Sequence, residues 1–223
     1  MLLALDTSTR MVGIALYDGA QVLCESLWSS QDYHTVELAP AVADILAKCN
    51  VKAEQLSALA VALGPGSFTG LRIGLALAKG MVYVHRIPLI GVPSLDILAV
   101  AQPVRDEPMA AVLRAGRGRL AVGWYRKEKR AWRSTGEVQV MTPLELSQQI
   151  QEPTLVCGEL SEEAQRQLRR KRKNVILASP AHMLRRPSFL AELAWKRFEA
   201  EDVDDPAGLA PIYLHYQTSI PEL

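Results

Sequence analysis

The chain has 223 residues, of which 49% are hydrophobic and 22% are charged, and its formal net charge is +1 at pH 7. These values are typical of a globular protein with a sizeable core, and the small net charge indicates no particular class of partner. The three cysteines show no close pairing, the N-terminus lacks a basic leader and no apolar run approaches the length of a membrane span, so we expect a cytoplasmic protein that is neither secreted nor inserted in a membrane.

The first hundred residues alternate strand and helix patterns. Apolar runs predict strands, and an Asp18-Gly19 pair between two of them indicates a hairpin turn. The predicted order is strand 2–8, strand 11–17, strand 21–28, helix 36–49, strand 56–64, helix 69–85, strand 87–94 and a helix ending at 100. Pro40 either lies in the first turn of the first helix or kinks it.

The second half repeats the alternation after a stretch rich in proline and charge at 102–108. Thr142, Pro143 and Glu145 form the signature of a helix N-terminus with a capping box. The predicted order is strand 109–115, strand 120–126, strand 137–140, helix from 143, strand 154–159, helix 161–171, strand 174–179 and helix 188–201.

An internal repeat relates the two halves. When the sequence is offset by 108 positions, residues 3–17 align with residues 111–125, and Tyr17 falls on Tyr125. Two duplicated strand–turn–strand units that each begin an α/β half are the layout of actin-like ATPases, in which the two turns grip the phosphates and metal of a nucleotide. A chance match of short apolar strands is the alternative.

The turn of the first hairpin carries groups that suit a phosphate or a metal. Asp6 is able to hold a hydrated Mg²⁺, and Thr7, Ser8 and Thr9 offer hydroxyl and backbone N–H groups. The alternative is that they are ordinary turn and cap residues. In the second hairpin the 108-residue offset places Arg114 where Asp6 stands, and an arginine cannot ligate magnesium. Half of a phosphoryl-transfer site is therefore expected to be missing.

The segment 63–80, LGPGSFTGLRIGLALAKG, follows a predicted strand and opens a helix. It lacks the Lys-Ser/Thr of a Walker A loop and the third glycine of a dinucleotide fingerprint, although an anion at its helix N-terminus is allowed. Gly70, Gly74 and Ala78 recur every four residues and predict a groove of small side chains on one helix face. That groove receives either the protein's own sheet or a helix of another subunit.

The four histidines are scattered as His34, His85, His182 and His215, without HExxH or HxxxH spacing. The sequence predicts no metal site and no catalytic residues, and it makes a hydrolase improbable.

Four stretches together resemble the TsaB (YeaZ) family: LALDTST near the start, GPGSFTGLRIGLALAKG, IPLIGVPSLDILA, and PIYLH near the end. The resemblance covers residues 1–100 specifically and the remainder loosely. It implies an α/β fold of the degenerate two-domain actin-like ATPase type (ASKHA, RNase H-like). Residues 1–103 would form the N-terminal domain and 104–223 a smaller C-terminal one, whose final segment returns to the first.

The resemblance also implies a function in making N6-threonylcarbamoyladenosine (t6A) in tRNA. The chain would be a non-catalytic subunit that pairs with a metal-bearing paralogue, TsaD, and recruits the ATPase TsaE, with tRNA contacted indirectly. In isolation it would form a homodimer. No cofactor is expected, and weak ATP or ADP binding at Asp6–Thr9 stays open.

In the family, the pairing surface is built from the first two helices. Carried over to this sequence, the expected partner-binding residues are Leu38, Val42, Ile45, Gly70, Leu71, Gly74, Leu75, Ala78 and Val82. The family loop itself comprises Gly64, Pro65, Gly66, Ser67, Phe68, Thr69 and Arg72. One departure is the arginine-rich turn Arg114–Arg119, where family members usually carry Asp-Ala-Arg. Either this turn lacks the contact with TsaD or tRNA that family members make through it, or its three arginines bind phosphate locally.

Two other functions compete with the scaffold hypothesis. A stand-alone actin-like small-molecule kinase or ATPase would bind Mg-ATP tightly and turn it over. A metallopeptidase would carry a bound metal.

Overall fold

A computed structural model describes residues 1–31, 34–170 and 173–214. Two residues of the basic stretch RRKRK at 169–173, and His215 at the end of PIYLH, therefore lie outside the described residues. The strands are β1 Leu2–Asp6, β2 Met11–Tyr17, β3 Val22–Ser29, β4 Ala58–Gly64, β5 Leu89–Pro93, β6 Met109–Arg114, β7 Leu120–Glu128, β8 Ala131–Ser134, β9 Gln139–Met141, β10 Thr154–Gly158 and β11 Val175–Leu177. The helices are α1 His34–Lys48, α2 Phe68–His85, α3 Ser94–Val100, α4 Pro143–Gln149, α5 Glu162–Arg169 and α6 Pro187–Glu199.

The strands form two mixed sheets with the same topology. The first sheet has the order β3-β2-β1-β4-β5, and the second has β8-β7-β6-β10-β11 with β9 also paired to β7. In each, a hairpin supplies the antiparallel strands and the later strands add in parallel. The sheet order therefore repeats, as the sequence repeat predicted.

Helices cover both faces of each sheet, as parallel strands require. α1 and α2 pack on the outer face of the first sheet, around Leu3, Leu5 and Ile14. α6 packs on its inner face, and α3 packs on the inner face of the second sheet. α4 and α5 cover the outer face of the second sheet. The two sheets thus share a central layer made of α3 and α6.

The chain returns to the first sheet near its end. After α6, Asp204 bridges to Leu89 at the edge strand β5, and the backbone N–H of Ile212 donates to the Leu63 carbonyl at 2.7 Å. The segment 204–214 therefore lies beside the loop that follows β4.

The hairpin repeat is real, but its register corrects one assignment. Leu2 pairs with Tyr17 in the first hairpin, whereas Met109 pairs with Tyr125 in the second. The second turn is thus one residue longer, and the residue in the place of Asp6 is Leu113 rather than Arg114. Leu113 is fully buried on the inner face, so a leucine, which has no oxygen to offer a metal, replaces the acid.

Smaller differences concern the second sheet and α1. The hairpin β7–β8 was not predicted as such, because charged residues of this exposed edge obscure the period-two pattern. The predicted strand 137–140 is Gln139–Met141. The capping box at Thr142 and Glu145 is confirmed, and Pro40 lies inside α1 rather than in its first turn.

Candidate functional site

The turn of the first hairpin lies at the bottom of the cleft between the two sheets. Asp6 is the last residue of β1, and Asp6, Thr7, Ser8 and Thr9 are at most 8% exposed. Buried carboxylates require a hydrogen-bonding or charged partner. The partner of Asp6 comes from a distant part of the chain, the connection that precedes α6.

Arg185 fills the position that the sequence suggested for a cation. Its Nε donates to Asp6 Oδ2 at 2.5 Å, and its Nη1 donates to Glu159 Oε1 at 3.0 Å. Its Nη2 donates to Thr9 Oγ1 at 3.1 Å, and that hydroxyl in turn donates to Glu159 Oε1 at 2.5 Å. We call Asp6, Thr9, Glu159 and Arg185 the arginine clamp. It ties the first sheet to the end of β10 in the second.

The clamp is a buried ion network rather than a surface one. The side chains of Arg185 and Asp6 are each 1% exposed, and that of Glu159 is 19% exposed. Burial alone would lower the pKa of Arg185, but the two carboxylates raise it above its ordinary value. Arg185 therefore stays charged and neutralises Asp6. Both oxygens of Asp6 are used within the protein: Oδ2 accepts from Arg185, and Oδ1 accepts from the Ser8 N–H at 2.9 Å. Binding of Mg²⁺ at Asp6 stays a prediction, and the ion would have to replace Arg185 there.

The hydroxyls of the same turn are also used within the protein. Thr7 Oγ1 donates to the Gly70 carbonyl at 2.7 Å. Ser8 Oγ lies 2.6 Å from Ser94 Oγ. The four residues are therefore not arranged as an open phosphate loop, and a nucleotide would have to displace these bonds to reach them.

The glycine-rich segment packs around this turn. A Cβ added to Gly66 would lie 2.1 Å from the Ser8 carbonyl oxygen, and one added to Gly70 would lie 2.3 Å from that of Thr7. Gly64 has a φ of +102°, which favours glycine. Only residues without side chains allow the two backbones to approach so closely. Within the chain, Gly70 and Gly74 of the small-residue groove therefore receive Thr7 of the first turn.

This packing corrects the expected accessibility of the partner-binding set. All nine residues are buried and belong to the core or contact the first hairpin: Leu38, Val42, Ile45, Gly70, Leu71, Gly74, Leu75, Ala78 and Val82. A partner that docks on the folded chain does not reach them. A period of 3.6 identifies a face but does not say whether solvent or the sheet covers it.

The opposite faces of the same two helices expose apolar side chains, interspersed with charged residues such as Asp44, Lys48 and Arg72. Val36 is 67% exposed, Tyr83 60% and Val84 76%. Further small exposed residues lie along the same two helices: Ala39, Pro40, Ala43 and Ala47 on α1, and Ala76 and Gly80 on α2. We call this set the outer helix face. Large apolar side chains exposed together on neighbouring helices are a feature of interaction sites.

The family loop leads from the buried turn to an exposed cluster at the start of α2. Gly64 and Pro65 are buried, whereas residues 66–69 are exposed. Ser67 caps the helix by accepting from the Gly70 N–H at 3.2 Å. The guanidinium of Arg72 lies 3.7 Å from the centre of the Phe68 ring, and its Nε donates to the Tyr213 hydroxyl at 2.8 Å. Sequence reasoning named Phe68 and Arg72 but did not connect them to Tyr213.

Within residues 1–31, 34–170 and 173–214, no three His, Cys, Asp or Glu residues are grouped so as to hold a metal ion. No helix of the described part is long and apolar enough to span a membrane.

Comparison with known proteins identifies the family. The family model for TsaD, tRNA N6-adenosine threonylcarbamoyltransferase, matches residues 22–183. The tRNA threonylcarbamoyladenosine biosynthesis protein TsaB of Bacillus subtilis is 38% identical over 124 residues. The chain belongs to the TsaB (YeaZ) family. The match to the Bacillus TsaB covers 56% of this chain and 54% of that protein, so the chain spans about half the length of the curated relatives it matches.

Solved structures confirm the fold of this TsaB-family chain. YeaZ from Pseudomonas aeruginosa is similar with a TM-score of 0.77 at 25% identity, over 96% of this chain and 99% of that one. The ROK hexokinase of Thermus thermophilus has a TM-score of 0.50 at 11% identity, over 87% and 99% of the two chains, a likeness of fold alone. The predicted two-domain actin-like α/β fold is therefore confirmed.

Proposed function

We propose that this chain is a non-catalytic subunit of a cytoplasmic machinery that forms t6A in tRNA. It pairs with a TsaD-like, metal-bearing paralogue, and the pair recruits a TsaE-like ATPase. The names of the curated relatives and the matching family model support the process, and the arginine clamp supports the division of labour.

The arginine clamp is the observation that carries the proposal. An actin-like enzyme needs the acid of its first turn for a metal and the hydroxyls for phosphate. Here Arg185 pairs with Asp6 at 2.5 Å, and the hydroxyls of the turn bond to the protein. The second hairpin carries Leu113 at the position equivalent to Asp6. A guanidinium in place of a metal keeps a positive charge beside the acid but supplies no Lewis acid. The chain retains the shape of an enzyme without the arrangement for phosphoryl transfer.

The outer helix face is the proposed pairing surface. Helices α1 and α2 lie side by side, and together they present alanine, proline, glycine, valine and tyrosine to solvent. Small residues let another helix pair approach closely, and the larger Val36, Tyr83 and Val84 supply area. An isolated chain would cover this surface by pairing with a second copy.

A matched pair of substitutions tests the surface. Val36 and Leu144 are exposed by 67% and 54%, and both lie near the start of a helix, where an aspartate is tolerated. We expect Val36→Asp to weaken association with the TsaD homologue from the same organism in sedimentation velocity, and Leu144→Asp to leave it unchanged. Equal association of both variants would place the pairing surface elsewhere.

Reconstitution tests the function itself. The chain is added to the TsaD and TsaE homologues, the threonylcarbamoyl-adenylate donor and unmodified tRNA, and t6A is measured by mass spectrometry of nucleosides. We expect product only when the chain is present with TsaD, and none from the chain alone. Tight Mg-ATP binding with turnover by the isolated chain, measured by calorimetry and phosphate release, would instead support the stand-alone kinase or ATPase.

A further inference from the structure

The arginine-rich turn Arg114–Arg119 projects from the second sheet into solvent. Gly116, Arg117 and Gly118 all have positive φ, and a Cβ added to either glycine would contact nothing within 4 Å. The backbone N–H of Ala115 donates to the Arg119 carbonyl at 2.9 Å, which closes the turn. Three exposed arginines, Arg114, Arg117 and Arg119, are thereby carried on one short, hydrogen-bonded loop.

This turn faces the family loop across the cleft. Arg114 and Arg10, one from each hairpin turn, line a cavity of about 750 Å³ together with Phe68 and Tyr213. Arg119 lines a neighbouring cavity that also includes Tyr213. Tyr213 therefore lies between the arginine-rich turn and the Phe68–Arg72 pair.

The cluster combines cations with exposed aromatic rings. Phe68 and Tyr213 are 54% and 37% exposed, and their ring centres are 5.1 Å apart. Acids line the same cavities: Glu159 belongs to the arginine clamp, Asp96 accepts from the Tyr125 hydroxyl at 2.6 Å, and Glu137 lines the cavity that contains Arg119. Glu145, whose pKa is lowered mainly by hydrogen bonds from Thr142 and slightly by Arg119, caps α4. Five arginines belong to the cluster and its turn: Arg10, Arg72, Arg114, Arg117 and Arg119. They outnumber these four acids, although the net charge of the whole chain is only +1.

We propose that this cluster is a direct RNA-contacting surface, in which the arginine-rich turn binds backbone phosphates and an unpaired base stacks on Phe68 or Tyr213. Arginine and exposed aromatic rings on one groove are the combination that proteins use for unpaired nucleotides, and a cavity of this volume accommodates one. An acidic protein surface would need the arginines but not the rings. The inference rests on the proposed function in that the RNA is the tRNA being modified, and it adds a direct contact to it.

The experiment measures RNA binding by the isolated chain over a series of salt concentrations. The probe is a fluorescently labelled, unmodified anticodon stem-loop, read by anisotropy. Arg117→Glu should weaken binding and reduce the slope of log affinity against log salt by at least about 0.7, the share of one phosphate contact. Lys129→Glu is the matched control, because Lys129 is also a cation at positive φ in a hairpin turn, but it lies on β7–β8.

A second variant tests the stacking. Phe68→Leu keeps apolar bulk and removes the aromatic face, so affinity should fall roughly 5- to 150-fold while the salt slope stays the same. The same loss for Arg117→Glu and Lys129→Glu, or no binding by the unsubstituted chain, would overturn the proposal.

Complex formation separates this proposal from the proposed function. If Arg117→Glu weakens association with the TsaD homologue but leaves RNA binding unchanged, the turn is a protein contact and the RNA surface is wrong. If the unsubstituted chain supports t6A formation but does not bind the stem-loop, the RNA surface alone fails. Failure of t6A formation with RNA binding intact would count against the proposed function only.

Discussion

Replacing Arg185 by leucine should destabilise the protein more than the loss of any exposed ion pair. Arg185→Leu leaves the carboxylates of Asp6 and Glu159 buried without their cation, at exposures of 1% and 19%. Removing one partner of a buried ion pair costs about 3–5 kcal/mol. A domain of ordinary stability has about 5–15 kcal/mol in total, so the variant should be close to its folding limit. Arg185→Lys keeps the positive charge but loses the planar set of hydrogen-bond donors. Its free energy of unfolding should therefore lie between those of the unsubstituted chain and Arg185→Leu.

Urea unfolding followed by tryptophan fluorescence measures the free energies, with Arg126→Leu as the control. Arg126 pairs with Glu152 at 2.6 Å, but both side chains are more than half exposed, and such a pair contributes about 0–1 kcal/mol. If Arg185→Leu costs no more than Arg126→Leu, the clamp does not hold the two sheets together. Arg185 would then not be the group that stabilises the buried carboxylates of the cleft.

Three further predictions concern other parts of the fold. Gly70→Ala should lower the free energy of unfolding, because its Cβ would lie 2.3 Å from the Thr7 carbonyl oxygen. Gly80→Ala is the control on the same helix, because a Cβ there would meet nothing within 4 Å. In the same urea titration it should raise the free energy of unfolding by up to about 1 kcal/mol. Burial raises the pKa of Glu25, but hydrogen bonds from Arg186 and Ser188 outweigh it and lower the pKa below 4.5. Glu25→Gln should therefore lower the free energy of unfolding at neutral pH. The difference from the unsubstituted chain should vanish as the pH falls below 4.5 through the lowered pKa of Glu25. A difference in the free energy of unfolding that persists in acid would contradict this. Burial raises the pKa of Cys157 to about 12, so iodoacetamide at pH 8 should modify Cys157 only after unfolding, as peptide mass spectrometry would show.

The sequence predicted the local structure well where a periodic pattern and a cap coincide. The capping box of α4 and the paired hairpins are examples, because the atoms that decide them lie within a few residues of each other. It was less informative about which face of a helix meets solvent. The apolar face of α1 with Leu38, Val42 and Ile45 looked suited to a partner, yet it packs against Leu3 and Leu5 of the protein's own sheet.

The candidate site was only half visible for a similar reason. Asp6 and the hydroxyls of its turn stood out, but their partner Arg185 follows 179 positions later, in a segment without a motif. The one-residue difference between the two hairpin turns was also hidden, because an alignment of short apolar strands fits either register. The alignment matched Asp6 with Arg114. In the structure Asp6 pairs with Gly13 and the buried Leu113 pairs with Ala121, so Leu113 is the equivalent of Asp6.

By itself the sequence determined the two α/β halves, their duplicated hairpins and the resemblance to one family, since these depend on residue type and spacing along the chain. Only the tertiary structure decided that a buried guanidinium occupies the cleft and that the exposed surface lies on the outer faces of α1 and α2. The burial of Arg185 and the exposure of these helix faces both depend on contacts between segments that are far apart in the sequence. The free energy of burying a charge or an apolar side chain depends on those neighbours, and no local pattern encodes them.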